Sequence, residues 1–275
     1  MINWRYLFQA AYTPLALAVI VGSVPPAHAA DDLLDAPEVT ISAAAGGDAG
    51  FYVRGDLGYA GWAGEGTPSL RALNTVAGIS DSASFDDARF GKPFSGSLGV
   101  GYQFNDMMRA DLTGEYFGGD YDASGQANFA CAGEAIGTRC AGDARADYRG
   151  IGLMANGHVD IATLAGFTPY LGAGLGVTRL DWSDVSLTTE CVPGVVACSG
   201  AAAATQSLNG DSSWRFTYAL MAGVSYDVTE RLKLDLNYRY SQIADGDMFG
   251  GTDIKGFDDG LSRHEIRAGL RLSLW

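Results

Sequence analysis

The sequence predicts an all-β chain: an eight-stranded antiparallel transmembrane β-barrel with short periplasmic turns and four long extracellular loops. Three observations carry this. In "RLKLDLNYRY", residues 231–240, Leu232, Leu234, Leu236, Tyr238 and Tyr240 alternate with Lys233, Asp235, Asn237 and Arg239, the signature of a strand with one apolar and one polar face. Such segments recur along the chain at about 9–15 residues each, near the length a tilted strand needs to cross a bilayer. Their connections alternate between short and long, as in bacterial outer-membrane barrels.

The segments follow in order. "FYVRGDLGY", 51–59, sets Phe51, Val53, Leu57 and Tyr59 against Arg54 and Asp56. "FSGSLGVGYQF", 94–104, sets Phe94, Leu98, Val100, Tyr102 and Phe104 against Ser, Gly and Gln103. After Asn105-Asp106, "MMRADLTGEYF", 107–117, sets Met108, Ala110, Leu112 and Tyr116 against Arg109, Asp111, Thr113 and Glu115. The fourth, 145–159, is less regular, with Ile151, Leu153 and Ala155 opposing Met154, Asn156 and His158. "TPYLGAGLGVTRL", 168–180, sets Leu171, Leu175 and Val177 against Tyr170 and a row of glycines. "WRFTYALMAGVSYDV", 214–228, sets Trp214, Phe216, Tyr218, Leu220, Val224 and Tyr226 against Arg215, Thr217, Ser225 and Asp227. The 231–240 stretch is the seventh. "HEIRAGLRLSLW", 264–275, is the eighth, with Ile266, Ala268, Leu270, Leu272 and Leu274 opposing Glu265, Arg267, Gly269, Arg271 and Ser273. The connections 105–106, 160–167 and 229–231 are short; those at 61–93, 118–143, 183–213 and 244–260 are long.

Which face turns inward follows from what each face carries. Nearly all large side chains are on the apolar faces. A soluble barrel would bury them and leave an outside of Gly, Ser and scattered charges. Lipid accepts Leu, Val, Tyr and Phe, whereas a lipid-facing Arg or Lys at mid-membrane costs roughly 2–4 kcal/mol. The apolar faces are therefore expected outside. The polar faces then supply an interior network of Arg54, Arg109, Arg215, Lys233, Arg239, Arg267 and Arg271 with Asp56, Asp111, Glu115, Asp227, Asp235 and Glu265. Near-balance of sign is what a narrow closed interior requires, and an eight-stranded barrel is just wide enough to be filled by side chains. Tyr59, Phe104, Tyr116, Trp214, Tyr240 and Trp275 are expected at the membrane interfaces.

The N-terminus reads as an export signal, residues 1–29: Arg5, an apolar run through "LALAVIVGSV", then "PPAHAA" with Ala27 and Ala29 at cleavage spacing. Residues 30–49 read as a flexible acidic periplasmic leader, and 50–275 as the barrel. No apolar run reaches the length of a membrane helix. The four cysteines, Cys131, Cys140, Cys191 and Cys198, allow three connectivities. Pairing within each stretch closes the shortest loops and suits an oxidising compartment. Neither spacing matches a zinc motif.

"LMANG" at 153–157, "FTPYLGAGLGV" at 167–177 and "HEIRAGLRL" at 264–272 resemble the small opacity-type, OmpA-barrel-like outer-membrane proteins, notably surface antigens of alphaproteobacterial type. The resemblance spans about residues 50–275. It implies a role in envelope integrity, surface loops that contact a host or the environment, and outer-membrane lipid and lipopolysaccharide as surroundings. It also implies that the last strand is read by the barrel-assembly machinery through Leu270, Leu272, Leu274 and Trp275, although Trp275 stands out of phase with the leucines.

The net charge of −14 disfavours nucleic acid and anionic surfaces as partners, and the long loops share the acidity. Catalytic candidates are few. Some eight-stranded barrels modify lipid A using His with Ser and an acid, and His264, Glu265 and Ser262 invite that comparison. Adjacent strand residues point to opposite faces, however, so no enzymatic activity is expected. "DGDMFGGTDIKGFDDG", 245–260, is acidic and Gly-rich but does not match a calcium loop, and no metal or cofactor is expected. The stretch 194–210 is low in charge and is expected to lack order apart from its cysteines. A small pore and a lipid-modifying enzyme are the rival functions to a structural or contact role.

Overall fold

The computed structural model describes residues 49–62, 69–74, 79–91, 94–131, 133–250 and 254–274. The expected export signal, nearly all of the leader, and Trp275 lie outside them. The strands are β1 (Gly50–Trp62), β2 (Ser69–Asn74), β3 (Ile79–Ser84), β4 (Asp87–Phe90), β5 (Phe94–Gln103), β6 (Met108–Ala127), β7 (Arg139–Asp160) and β8 (Phe167–Trp182). They continue as β9 (Val185–Val192), β10 (Ala204–Gly210), β11 (Ser212–Asp227), β12 (Leu232–Ile243), β13 (Gly246–Gly250), β14 (Ile254–Asp258) and β15 (Leu261–Ser273).

Eight of these close a ring in the order β1-β5-β6-β7-β8-β11-β12-β15, each antiparallel to the next, with β15 returning to β1. At one end the connections are tight. Asn105 accepts the backbone N–H groups of Met107 and Met108 through its side-chain oxygen at 2.9 and 2.8 Å. Thr229 does the same for Leu232 at 3.0 Å, and the β7–β8 turn passes through Ala165 and Gly166 at positive φ. The ring's first and last strands begin and end there too, which makes this the periplasmic end.

The other end differs from expectation. Much of the four long connections, among the described residues, is strand, although 193–203 is irregular. β6 runs for 20 residues and β7 for 22, about twice what a bilayer crossing requires. Their upper halves find new neighbours. β7 pairs with β8 up to Tyr148↔Trp182, then with β9 from Arg145↔Ser186. β6 pairs with β5 up to Phe117↔Ser95, then with β4 from Tyr121↔Phe90. β10, β13, β14, β2 and β3 follow in the same order as the strands beneath them. The barrel thus continues above the membrane as a second storey. Of the stretch 194–210, expected to lack order, 194–203 forms no strand, whereas Ala204–Gly210 forms β10 and pairs with β9 through Ala204–Leu208.

The solvent reverses between storeys, and the sequence reverses with it. On β6 the inward series Arg109, Asp111, Thr113, Glu115 becomes Phe117, Tyr121, Ala123, while the outward series Met108, Leu112, Tyr116 becomes Asp120, Asp122. On β7, inward His158 and Asn156 give way to Tyr148 and Ala144, and outward Leu153 and Ile151 to Arg149, Asp147 and Arg145. Below, lipid surrounds the wall. Above, water does, and the hydrophobic effect turns apolar groups inward. Phe85, Tyr121, Tyr148, Trp182, Val185, Leu187, Leu208, Met248 and Phe249 form that core over the barrel mouth, with Tyr121 and Trp182 edge to face at 5.3 Å.

Candidate functional site

The barrel interior holds ion-paired groups at two levels. Nearer the periplasm, Arg54 grips Asp56 through Nη2 and Nε at 2.7 and 3.1 Å and reaches Asp111 through Nη1 at 2.9 Å. Asp111 also accepts from Tyr52 Oη at 2.9 Å and Asn156 Nδ2 at 2.8 Å, and faces His158 Nε2 at 3.2 Å. Beside it, Arg271 donates to Ser225 at 2.9 Å and approaches Asp235 at 3.4 Å. Arg109 meets Asp160 at 3.2 Å and lies over the Tyr170 ring.

Higher in the barrel, Glu115 accepts from both Arg239 and Arg267, the latter at 3.0 Å. Arg267 continues to Glu265 at 2.6 Å, which also receives Arg263 at 2.8 Å. At the rim, Arg215 Nη1 holds both carboxylate oxygens of Asp258 at 2.7 and 2.6 Å, and its Nη2 donates to the Asp247 carbonyl at 2.8 Å. This ties the β13–β14 hairpin to the ring. Bulky groups fit because facing strands carry glycine: a Cβ at Gly101 would lie 2.2 Å from the Tyr52 ring, and one at Gly150 would lie 2.1 Å from Phe117.

The named interior charges face the lumen, but Arg109 and Arg215 pair with Asp160 and Asp258, which lie outside the expected strands. Lys233 and Asp227, paired at 2.6 Å, are half-exposed at the periplasmic mouth. Three interior members stand outside the expected strands: Asp160 falls in an expected turn and Arg263 one residue before the expected last strand, yet both continue the parity of their strands. Asp258 lay in an expected loop and carries no local signal.

The outer face of the ring is an apolar belt, with Leu57, Leu98 and Leu175 among its most exposed members. Aromatics edge it at both ends. Phe51, Tyr102 and Phe104 stack near the periplasm at 4.9 and 5.2 Å, and Tyr59–Phe94, Tyr116, Trp214 and Tyr240 stand at the outer edge. Leu270, Leu272 and Leu274 all face outward on and just after β15. His264 packs against Tyr238 and Tyr240 on the outer side, while Glu265 points into the barrel, so the imagined catalytic set is divided by the wall.

Two disulfides, Cys131–Cys140 and Cys191–Cys198, clip the loops at the top, choosing the local pairing. The loops are joined to each other. Val195 N–H donates to Gly137 O at 2.9 Å, and Ser199 donates to Glu134 through its backbone and hydroxyl at 2.9 and 2.6 Å. These hydrogen bonds hold the Glu134 carboxyl below its usual range. Glu134, Cys191 and Cys198 lie close together, but both sulfurs are spent in the disulfide and offer no thiolate to a metal. Ile136 and Val195 project from this tip almost fully exposed, at 95% and 98%.

The profile of the family described as "Outer membrane protein beta-barrel domain" matches residues 33–272. An uncharacterized protein of Brucella suis biovar 1 is 34% identical over 247 residues, covering 81% of this chain and 84% of its own. A proposed adhesin of Rickettsia bellii is 30% identical over 196 residues, covering 66% of this chain and 75% of its own. Among solved structures, Neisserial surface protein A aligns over 82% of this chain and 99% of its own at 20% identity, with a TM-score of 0.43. The profile spans the whole ring and both storeys, and the apolar belt is what such a domain presents to lipid: the chain belongs to the outer membrane protein beta-barrel domain family and resides in the outer membrane.

Proposed function

We propose that the protein is a filled, non-conducting and non-enzymatic barrel that supports the envelope and makes contacts through its extracellular storey. The observation that carries this reading is the double closure of the interior: ion-paired arginines across the membrane-spanning part and an aromatic core above it. Among the described residues the lumen is lined by paired charges and covered by aromatic side chains, which supports a filled barrel acting through the outward face of its upper storey. The Rickettsia bellii relative, described as a proposed adhesin, is in keeping with contact to a host or another surface. Assembly-machinery recognition of the last strand, through Leu270, Leu272, Leu274 and Trp275, belongs to the same reading.

The test is display on a bacterium that does not adhere by itself. Cells carrying the protein are expected to bind an epithelial monolayer several-fold better than cells carrying a variant in which short Gly-Ser turns replace 131–140 and 191–198. Equal adhesion of displaying and non-displaying cells contradicts the contact function.

A further inference from the structure

Cys140 and Cys191 are register partners on β7 and β9. Facing residues of an antiparallel pair send their side chains to the same face, with Cα atoms about 4.5–5.5 Å apart. That separation lies inside the range of about 4.4–6.8 Å that a disulfide spans. Both cysteines continue the inward parity of their strands, Cys140 with Ala144 and Cys191 with Val185 and Leu187. Each is bonded instead to a cysteine of its own loop, Cys131 or Cys198, so the two disulfides lie side by side. The distal cysteines are also drawn together. Glu134 donates its backbone N–H to Cys131 O at 3.0 Å, while its carboxylate accepts from Ser199, the neighbour of Cys198.

Disulfides exchange by attack of a thiolate on one sulfur, and access decides which sulfur is attacked. Cys140 is buried and Cys131 only half-buried. At the other disulfide a Glu134 carboxylate oxygen lies within 4.8 Å of both sulfurs, and its charge repels an incoming thiolate. Attack from outside is therefore directed to Cys131.

We propose that the four cysteines form a thiol-triggered relay that converts the two local clips into a staple between β7 and β9. An external small-molecule thiolate bonds to Cys131 Sγ, and the electron pair of the Cys131–Cys140 bond leaves on Cys140. The Cys140 thiolate attacks Cys191 Sγ, forming Cys140–Cys191 and releasing Cys198 as a thiolate. Cys198 then displaces the external thiolate from Cys131, forming Cys131–Cys198. Two disulfides enter and two leave, so no oxidant or reductant is consumed. The relay is independent of the contact function proposed above.

The test exposes the full-length protein, folded in detergent micelles and checked by heat-dependent gel mobility, to reduced glutathione without oxygen. Free thiols are then alkylated and the chain is cut with trypsin. Cleavage after Arg109, Arg139, Arg145, Arg179 and Arg215 puts Cys131 in peptide 110–139, Cys140 in 140–145, and Cys191 with Cys198 in 180–215. Before treatment, 140–145 is expected to be linked to 110–139 alone. After treatment it is expected to be linked to 180–215, at Cys191 about tenfold more often than at Cys198, as the advantage of a positioned neighbour implies. Cys131→Ser, which frees Cys140, is expected to form the same bond without glutathione and to be alkylated at Cys198. The proposal is overturned if treated protein shows no link between 140–145 and 180–215, or equal use of Cys191 and Cys198. Alkylation of Cys131→Ser at Cys140, with Cys191–Cys198 intact, overturns it as well.

Discussion

Glu115 is the carboxylate on which the outer ion cluster turns, and Glu115→Ala is the sharpest perturbation of the interior. Glu115 is the carboxylate partner of Arg239, and it shares Arg267 with Glu265. Among the described residues its removal leaves Arg267 paired with Glu265 and Arg239 without an ion-pair partner. Arg239 is among the most completely buried side chains in the molecule, so water cannot readily replace the lost oxygen. Breaking a buried ion pair from one side costs about 3–5 kcal/mol, and the residual tie between Arg267 and Glu265 places the expected loss near the lower end. The partner deletion supplies the control. In Glu115→Ala/Arg239→Ala the orphaned guanidinium is gone, so the double variant is expected to be less destabilised than the sum of the singles, by about 1–3 kcal/mol. The assay is urea unfolding of protein folded into vesicles, followed by tryptophan fluorescence, with unfolding and refolding branches required to coincide. A cost below about 1 kcal/mol for Glu115→Ala, the range of solvated pairs, would mean that water reaches these charges and that the interior is a wet lumen.

Other outcomes follow from the same geometry. Leu220→Arg, on the lipid-facing side of β11, is expected to cost about 2–4 kcal/mol by the same vesicle unfolding; a neutral result would place this face away from lipid. Trp182→Ala is expected to destabilise the upper storey by about 3–5 kcal/mol while the membrane ring keeps its heat-dependent gel shift, which limited proteolysis of intact cells would reveal as cleavage in the upper strands. Because Glu134 titrates below its ordinary range in the folded tip, its tie to Ser199 stabilises the tip fully above that ordinary range. The contribution is lost only as pH falls through the depressed value. Protease accessibility of the 191–198 loop should therefore stay flat through mild acid and rise in strong acid, and Glu134→Gln should remove that dependence.

The membrane ring was legible because lipid makes the pattern unambiguous. Leu232, Leu234 and Leu236 could not all face a narrow lumen while Lys233, Asp235 and Arg239 faced hydrocarbon. The phase of each strand therefore followed from chemistry alone. The upper storey was not legible for the same reason. Tyr121 and Ala123 alternate with Asp120 and Asp122 just as strand residues do, but their meaning reverses once water replaces lipid, and small residues such as Ala144 and Gly142 weaken the signal. Pairing lay beyond the sequence altogether. Arg239 and Glu115 are 124 residues apart, and nothing local joins them. Asp258 illustrates the limit from the other side, since its value to Arg215 exists only after the β13–β14 hairpin folds over the rim.

Ion conductance of the refolded protein in a planar bilayer tests most directly whether the barrel is filled. Protein shown to be folded by its heat-dependent gel shift is expected to give no steady current, with Glu115→Ala/Arg239→Ala the variant most apt to admit water. Sustained open-channel currents from the unaltered protein would contradict the account and make the paired charges the lining of a pore.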